Sequence, residues 1–285
     1  IVFVGAVGIA VRTIAPYIKN KLVDPAVLSV DEGGNFVIPL LSGHIGGANG
    51  FAKALAKVIK ATPVVTTATD VNKLFAVDEW AARNNMIINS MKAAKDFAAA
   101  LVDGQEVGLF TDYPIISALP RQIVLKDKGV TGLAITKNRN VKPFDLTVQL
   151  WPRNIYLGIG CRRGTTLESI ETLVLPKLKE LGIDLRTIVG VASVDLKKDE
   201  AGLLNFAAKY NWEISFFTAE ELQNAAGEFS SSDFVKSVVG VSNVCERSAV
   251  LAANNGSIIS SKCSLNGVTL AVAEANIVLD FEKLS

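Results

Sequence analysis

Residues 155–166 read Ile155-Tyr156-Leu157-Gly158-Ile159-Gly160-Cys161-Arg162-Arg163-Gly164-Thr165-Thr166. An apolar run of the buried-strand type enters a glycine turn, passes two arginines and meets a Thr suited to capping a helix. Downstream, the pattern predicts a helix over 166–181, a strand over 188–193, a helix over 201–211 and a strand over 213–217. Helices near 218–226 and 244–253 come next, then strands near Ile258 and over 268–273. Strands alternating with helices predict a parallel or mixed sheet covered by helices. Trp151-Pro152-Arg153-Asn154 marks the boundary ahead of this half.

Upstream, the same alternation opens the chain. Strand-like 1–6 leads into helical spacing over 9–20, and strands over 26–30 and 36–41 flank Asp31-Glu32-Gly33-Gly34-Asn35, a hairpin signal. Residues 47–60 are Ala-rich, with Phe51, Leu55, Val58 and Ile59 at helical spacing. A buried strand is predicted over 63–67, and Asp70 can cap the helix after it. Between these halves, helices around 76–84 and 93–102 precede short strands over 106–110, 122–125, 133–136 and 146–150, punctuated by Pro114, Pro120 and Pro143. The fold class is therefore α/β. Two three-layer α/β/α domains with mixed or parallel sheets, 1–73 and 154–285, flank a small α+β middle unit over 74–150.

Composition narrows the function. The 285 residues are 49% apolar and 20% charged, which fits a folded chain of about two domains and excludes disorder. Lys and Arg number 29 against 28 Asp and Glu, so no basic excess exists to neutralise a nucleic-acid backbone. Aromatics at 7% also argue against base stacking. Cys161, Cys245 and Cys263 form no CxxC pair and are odd in number, which predicts reduced thiols in the cytoplasm. With a single His, the chain lacks the ligands for a zinc site of its own. The apolar opening run stops at Arg12, short of the roughly 18 residues a membrane span needs. It also lacks the basic leader of a secretory signal.

Four segments carry the candidate chemistry. In Leu41-Ser42-Gly43-His44-Ile45-Gly46-Gly47-Ala48-Asn49 a strand runs into a Gly-rich turn and a helix. Backbone N–H groups can converge there on an anion or developing oxyanion, beside the chain's one imidazole. The plain alternative is that His44 hydrogen-bonds its own loop. Thr66-Thr67-Ala68-Thr69-Asp70-Val71-Asn72 lies beyond another strand end, where open α/β sheets bind ligands; Asp70 is equally an ordinary helix cap. In 158–166 the glycines miss the dinucleotide fingerprint at its third position, and no GK[ST] is present. What remains there is an arginine pair at a helix start, suited to carboxylates. Cys161 has no second His to activate it and reads as a small filler. Finally, Asn243, Cys245, Glu246 and Arg247 open an Ala-rich helix, where Glu246 is either an acid or a first-turn carboxylate favoured by the helix dipole.

These motifs resemble the cobalamin-biosynthesis protein G family. The resemblance runs through Gly8-Ile9-Ala10-Val11-Arg12, Ile14-Ala15-Pro16, Asp24-Pro25-Ala26-Val27, Val30-Asp31, the 40–49 loop and Thr66-Thr67-Ala68-Thr69-Asp70. It resumes in Gly158 to Thr165 and in Val244-Cys245-Glu246, and the second half also looks like the stand-alone homologue of the aerobic pathway. The resemblance implies a cobalt-precorrin-5A hydrolase of anaerobic cobalamin biosynthesis. Such an enzyme opens a δ-lactone on a cobalt-bound tetrapyrrole and releases acetaldehyde. It implies no cofactor, since cobalt travels with the substrate, and contact with other enzymes of that pathway. A homodimer is compatible with it. Family members carry a further strand–helix segment ahead of the position of Ile1, so an additional first strand and helix are expected.

On this reading His44 activates water, the Gly46 and Gly47 amides hold the oxyanion, and Asp70 or Glu246 serves as the second base. Arg12, Arg162 and Arg163 meet substrate carboxylates, and Ser42, Gly43, Asn49, Thr67, Thr69, Gly160 and Thr165 complete the binding loops. No residue is assigned to a metal. The rival readings are a non-catalytic corrinoid carrier, a nucleotide-binding module and a purely structural partner.

Overall fold

The computed structural model describes residues 1–20, 23–43, 46–67, 71–72, 74–227, 229 and 243–282. The chain forms two compact units, Ile1–Trp151 with Leu279–Ser285, and Pro152–Val278.

The first unit holds two sheets. One has the order β1-β2-β3-β4, built from Val2–Val4, Val27–Val30, Phe36–Leu41 and Thr62–Pro63. β1 and β4 run parallel to their neighbours, while β2 and β3 are an antiparallel hairpin. The hairpin closes as predicted: Asp31 Oδ1 accepts the Phe36 N–H at 2.6 Å, and Gly34 supplies a left-handed turn residue at φ +67°. α2 (Ala48–Ile59) lays Ala48, Ala52 and Ala56, spaced every fourth residue, on Leu28, Val30 and Val37. Their short side chains let the helix sit close to the sheet. α1 (Val7–Ile14) is shorter than its apolar pattern predicts, because Pro16 turns the next residues into a 3-10 turn, Ala15–Tyr17. Of the strand predicted over 63–67 only Pro63 is in β4, which begins one residue earlier at Thr62.

The middle stretch forms a second sheet, ordered β5-β9-β8-β6-β7 from Met86–Ile88, Phe144–Pro152, Gly129–Ile135, Val107–Thr111 and Ile123–Leu125. β7, β6, β8 and β9 pair in parallel. α3 (Val77–Arg83) and α4 (Met91–Val102) accompany it, and the Ser90 side chain caps α4 through the Ala93 N–H. Phe144 lies over Gly108 of β6 and Gly132 of β8, where a Cβ would come within 2.2 and 2.5 Å of its ring. The chain's last segment returns to this unit. Leu279 bridges Ile115, Asp280 O accepts from Trp80 Nε1 at 2.9 Å, and Phe281 stacks on Trp80 at 4.6 Å.

The second unit is a five-stranded mixed sheet, β12-β11-β10-β14-β13, from Glu213–Phe217, Ile188–Val194, Ile155–Cys161, Val268–Glu274 and Ser257–Leu265. β10, β11 and β12 are parallel, and β14 runs antiparallel to both β10 and β13. Alternation along β10 divides its side chains between two layers. Ile155, Leu157 and Ile159 join Ile170, Leu173, Val174, Leu203 and Phe206 of α5 (Leu167–Glu180) and α6 (Ala201–Lys209). The opposite face takes α8 (Val244–Ala252), which packs so closely that a Cβ on Gly158 would lie 1.8 Å from the Cys245 carbonyl oxygen. α7 (Ala219–Gln223) contributes Leu222 to a satellite cluster with Val194 and Val244. No helix of the described residues is long and apolar enough to cross a membrane.

Candidate functional site

In the first unit the loop leaving β3 is bound to the segment beyond β4. Ser42 adopts a left-handed φ of 57°, a conformation non-glycine residues hold mainly where neighbours enforce it. Its hydroxyl donates to Asp24 O at 2.7 Å, and the Asp24 carboxylate in turn accepts the Lys19 N–H at 3.0 Å. Asn49 is 1% exposed and joins the two strand-end motifs: its side-chain amide donates to Thr67 Oγ1 at 3.0 Å. Its own N–H donates to Gly43 O at 2.9 Å.

Two glycines are sterically required here. A Cβ on Gly46 would lie 2.3 Å from Ser42 Cβ, and one on Gly43 would lie 2.8 Å from Asn49 Oδ1. Ser42, Gly43, Gly46, Gly47, Asn49 and Thr67 thus form one constellation. Ser42 and Asn49 shape it through bonds they already make, while the Gly46 and Gly47 N–H groups have no acceptor among the described residues. Gly47 stands at φ +77° as the residue before α2. Arg12 is exposed in the last turn of α1. His44, Thr69 and Asp70 lie outside the described residues.

In the second unit the loop after β10 is gripped by the start of α6. Glu200, 5% exposed, accepts the Gly164 N–H on Oε1 at 2.7 Å, and its Oε2 lies 3.4 Å from Lys197 Nζ. The Arg163 guanidinium donates to Asp199 at 3.1 Å and to Leu196 O at 3.4 Å. Thr165 closes the turn by donating to Arg162 O at 2.7 Å, and Thr166 caps α5 through the Ser169 N–H. Gly160 faces Thr269, whose hydroxyl donates to the Gly160 carbonyl at 3.3 Å.

Glu246 is 3% exposed at the start of α8 and accepts the Lys262 N–H from β13 at 2.7 Å. Asn243 caps that helix through the Glu246 N–H. Burial pushes the Cys161 thiol up, offset in part by Lys197, and pushes Cys245 up to about 11. Both therefore stay protonated near neutral pH and read as packing residues. Among the described residues, no group of three or more His, Cys, Asp and Glu could hold a metal ion.

Sequence reading passed over Asp24 as a site residue, and Glu200 entirely. A Glu in front of a helix looks like a dipole partner, and only the hydrogen bond back to Gly164, 36 positions away, marks it as part of the arginine loop.

Three family models cover nearly the whole chain: "Cobalamin synthesis G N-terminal" at 1–70, "Cobalamin biosynthesis central region" at 75–152 and "Cobalamin synthesis G C-terminus" at 155–273. The chain belongs to the cobalamin-biosynthesis protein G family. Family relatives include the cobalt-precorrin-5A hydrolase of Salmonella typhimurium, 36% identical over 97% of this chain and 82% of that protein. The enzyme of the same name from Priestia megaterium is 32% identical over 96% of this chain and 78% of its own length. A probable cobalt-precorrin-5A hydrolase from Methanocaldococcus jannaschii is 28% identical over 97% and 85%. In protein G terms, the Ser42–Asn49 constellation falls in the N-terminal region and the arginine loop in the C-terminal one.

Proposed function

We propose that this chain is a cobalt-precorrin-5A hydrolase, opening the δ-lactone of its cobalt-bound tetrapyrrole and releasing acetaldehyde to leave cobalt-precorrin-5B. The observation that carries this reading is agreement along nearly the entire chain with relatives named for that reaction. The geometry supplies a physical basis for it. Lactone hydrolysis needs a base for water and donors for an oxyanion, and the Gly46 and Gly47 N–H groups stand in a loop that Ser42, Gly43 and Asn49 hold in shape.

In this reading His44 takes a proton from water as the water oxygen bonds to the lactone carbonyl carbon. The negative charge on the carbonyl oxygen falls to the glycine amides. Collapse breaks the ring C–O bond, and the departing alkoxide receives the proton, leaving a free hydroxyl and a carboxylic acid that ionises by releasing its proton to solvent. A second base, Asp70 or Glu246, then removes the hydroxyl proton. The carbon–carbon bond to the macrocycle breaks, its electron pair stays on the ring carbon, and acetaldehyde leaves. Arg12 and Arg162 pair with substrate acetate and propionate groups, for which bidentate guanidinium contacts suit, while Arg163 stays bound to Asp199. Cobalt enters as part of the substrate, so the reaction asks no metal ligand of the protein. A cytoplasmic location, contact with neighbouring pathway enzymes and a homodimer belong to the same proposal.

The test is anaerobic incubation with cobalt-precorrin-5A, measuring acetaldehyde and product mass. We expect both with the intact chain, and a fall of about a hundredfold or more in lactone opening for His44→Ala, the size of effect a positioned base supplies. Lactone opening at the wild-type rate in that variant would remove His44 from the mechanism. Tight binding with no acetaldehyde would make the chain a corrinoid carrier instead.

A further inference from the structure

The two arginines of the 158–166 loop are differently committed. Arg163 is tied to the start of α6 by Asp199 and the Leu196 carbonyl. Arg162 is exposed, and its guanidinium makes no hydrogen bond or ion pair among the described residues. Only its stem is placed, against Gly267, where a Cβ would come within 2.9 Å of Arg162 Cδ. The turn that carries Arg162 is held by its own next residues and by α6. Gly164 takes a left-handed φ of +75°, Thr165 bonds back to the Arg162 carbonyl, and α6 presses so close that a Cβ on Gly202 would lie 2.0 Å from Thr165 O.

At the centre of this grip is the Glu200 carboxylate. A buried carboxylate is costly unless charge and hydrogen bonds compensate it. Here the compensation consists of the Gly164 N–H at 2.7 Å and Lys197 at 3.4 Å, with Glu200 and Lys197 side chains only 6% and 14% exposed. A residue needed merely to start α6 would direct its side chain at α6's own first amides. Glu200 directs Oε1 at the amide of another loop, at the point where that loop turns left-handed.

We propose that Glu200 is a positioning residue: by holding the Gly164 N–H it sets the 162–165 turn so that Arg162 presents its guanidinium to a substrate carboxylate, while Arg163 serves as a clamp on α6. This rests on the reading of the arginine loop as the carboxylate-binding part of the hydrolase.

A double-mutant cycle on acetaldehyde release from cobalt-precorrin-5A by the full chain tests it. Arg162→Ala is expected to raise KM about tenfold with kcat within about twofold, the loss of one charge-assisted contact to bound substrate. Glu200→Ala should show the same split. Because Glu200 acts through Arg162, the double variant should be no worse than about twice the larger single effect. Glu200→Gln, which keeps an oxygen for the Gly164 N–H, should recover most of the affinity.

If the two single effects multiply to about a hundredfold in the double variant, or if Glu200→Ala lowers kcat at unchanged KM, the positioning role is overturned and the arginine reading stands. If Arg162→Ala leaves KM unchanged, the arginine reading fails and the positioning role goes with it. Should Glu200→Ala not fold, as judged by circular dichroism, Glu200→Asp replaces it in the cycle. Its carboxylate is one methylene too short for Gly164, so the same KM rise is expected, and an unchanged KM overturns the proposal.

Discussion

Cys245 shows how burial outweighs nearby donors and charges in setting a residue's chemistry. Its thiol, buried in the first turn of α8, donates to Asn243 Oδ1 at 3.4 Å and is pushed by desolvation from an ordinary value of 9.0 up to about 11. Because the folded state holds this proton more tightly than the unfolded chain, the thiol's stabilisation is complete below pH 9 and is lost as pH climbs toward 11. A shift of that size corresponds to about 3 kcal/mol over the window. Urea unfolding at pH 8 and pH 10.5 should therefore show wild type losing more stability than Cys245→Ala across the same interval. Parallel losses in the two proteins would mean the buried thiol titrates normally.

Pairs of elements in this chain are fitted together by missing side chains. In the middle sheet the Phe144 ring of β9 covers Gly108 and Gly132, which lie opposite one another on β6 and β8. A Cβ at Gly132 would come within 2.5 Å of the ring and 2.6 Å of Gly108 O, a backbone atom that cannot swing away. Gly132→Ala should lower stability by about 2 kcal/mol or more, as overpacking does, and the loss should shrink when Phe144 is replaced by Ala in the same chain. Urea midpoints of the two single variants and the double decide it; a neutral Gly132→Ala would show that the ring and the Gly108 backbone both shift at little cost.

The whole molecule is two compact units, each with its own packed core. Chains of this kind depart from single-step unfolding, since each core can be lost separately. Trp80 reports on the first unit and Trp212 on the second. In two single-tryptophan variants, one keeping Trp80 and one keeping Trp212 with the other two tryptophans replaced by Phe, Gly158→Ala is expected to move the Trp212 urea transition to lower concentration, because its Cβ would meet the Cys245 carbonyl oxygen at 1.8 Å. The Trp80 transition should stay where it is. Equal movement of both would show that the units unfold as one.

Much of this architecture is written in local pattern. The run 155–160 and the helix predicted from 166 emerge as β10 and α5, and the Asp31–Asn35 turn makes the β2–β3 hairpin, because periodicity and turn chemistry act over a few residues. Pattern runs out where an element is too short or its partner too distant. Met86–Ile88 has three residues and no period to recognise, and the strand predicted over 63–67 keeps only Pro63, which pairs with β3 together with Thr62. The Gly-rich loops of the candidate site were legible because steep turns demand glycine. Which partners make those glycines obligatory was not: Gly46 answers to Ser42 within its own loop, but Gly158 answers to a carbonyl 87 positions away on α8. Likewise Asn49 meets Thr67 across 18 positions and Glu200 meets Gly164 across 36. By itself the sequence determined most of the longer elements and marked the glycine-rich loops as candidates for chemistry. The tertiary structure alone decided which side chains hold those loops in shape, since a hydrogen bond or a close contact between remote residues exists only once the sheets and helices have packed.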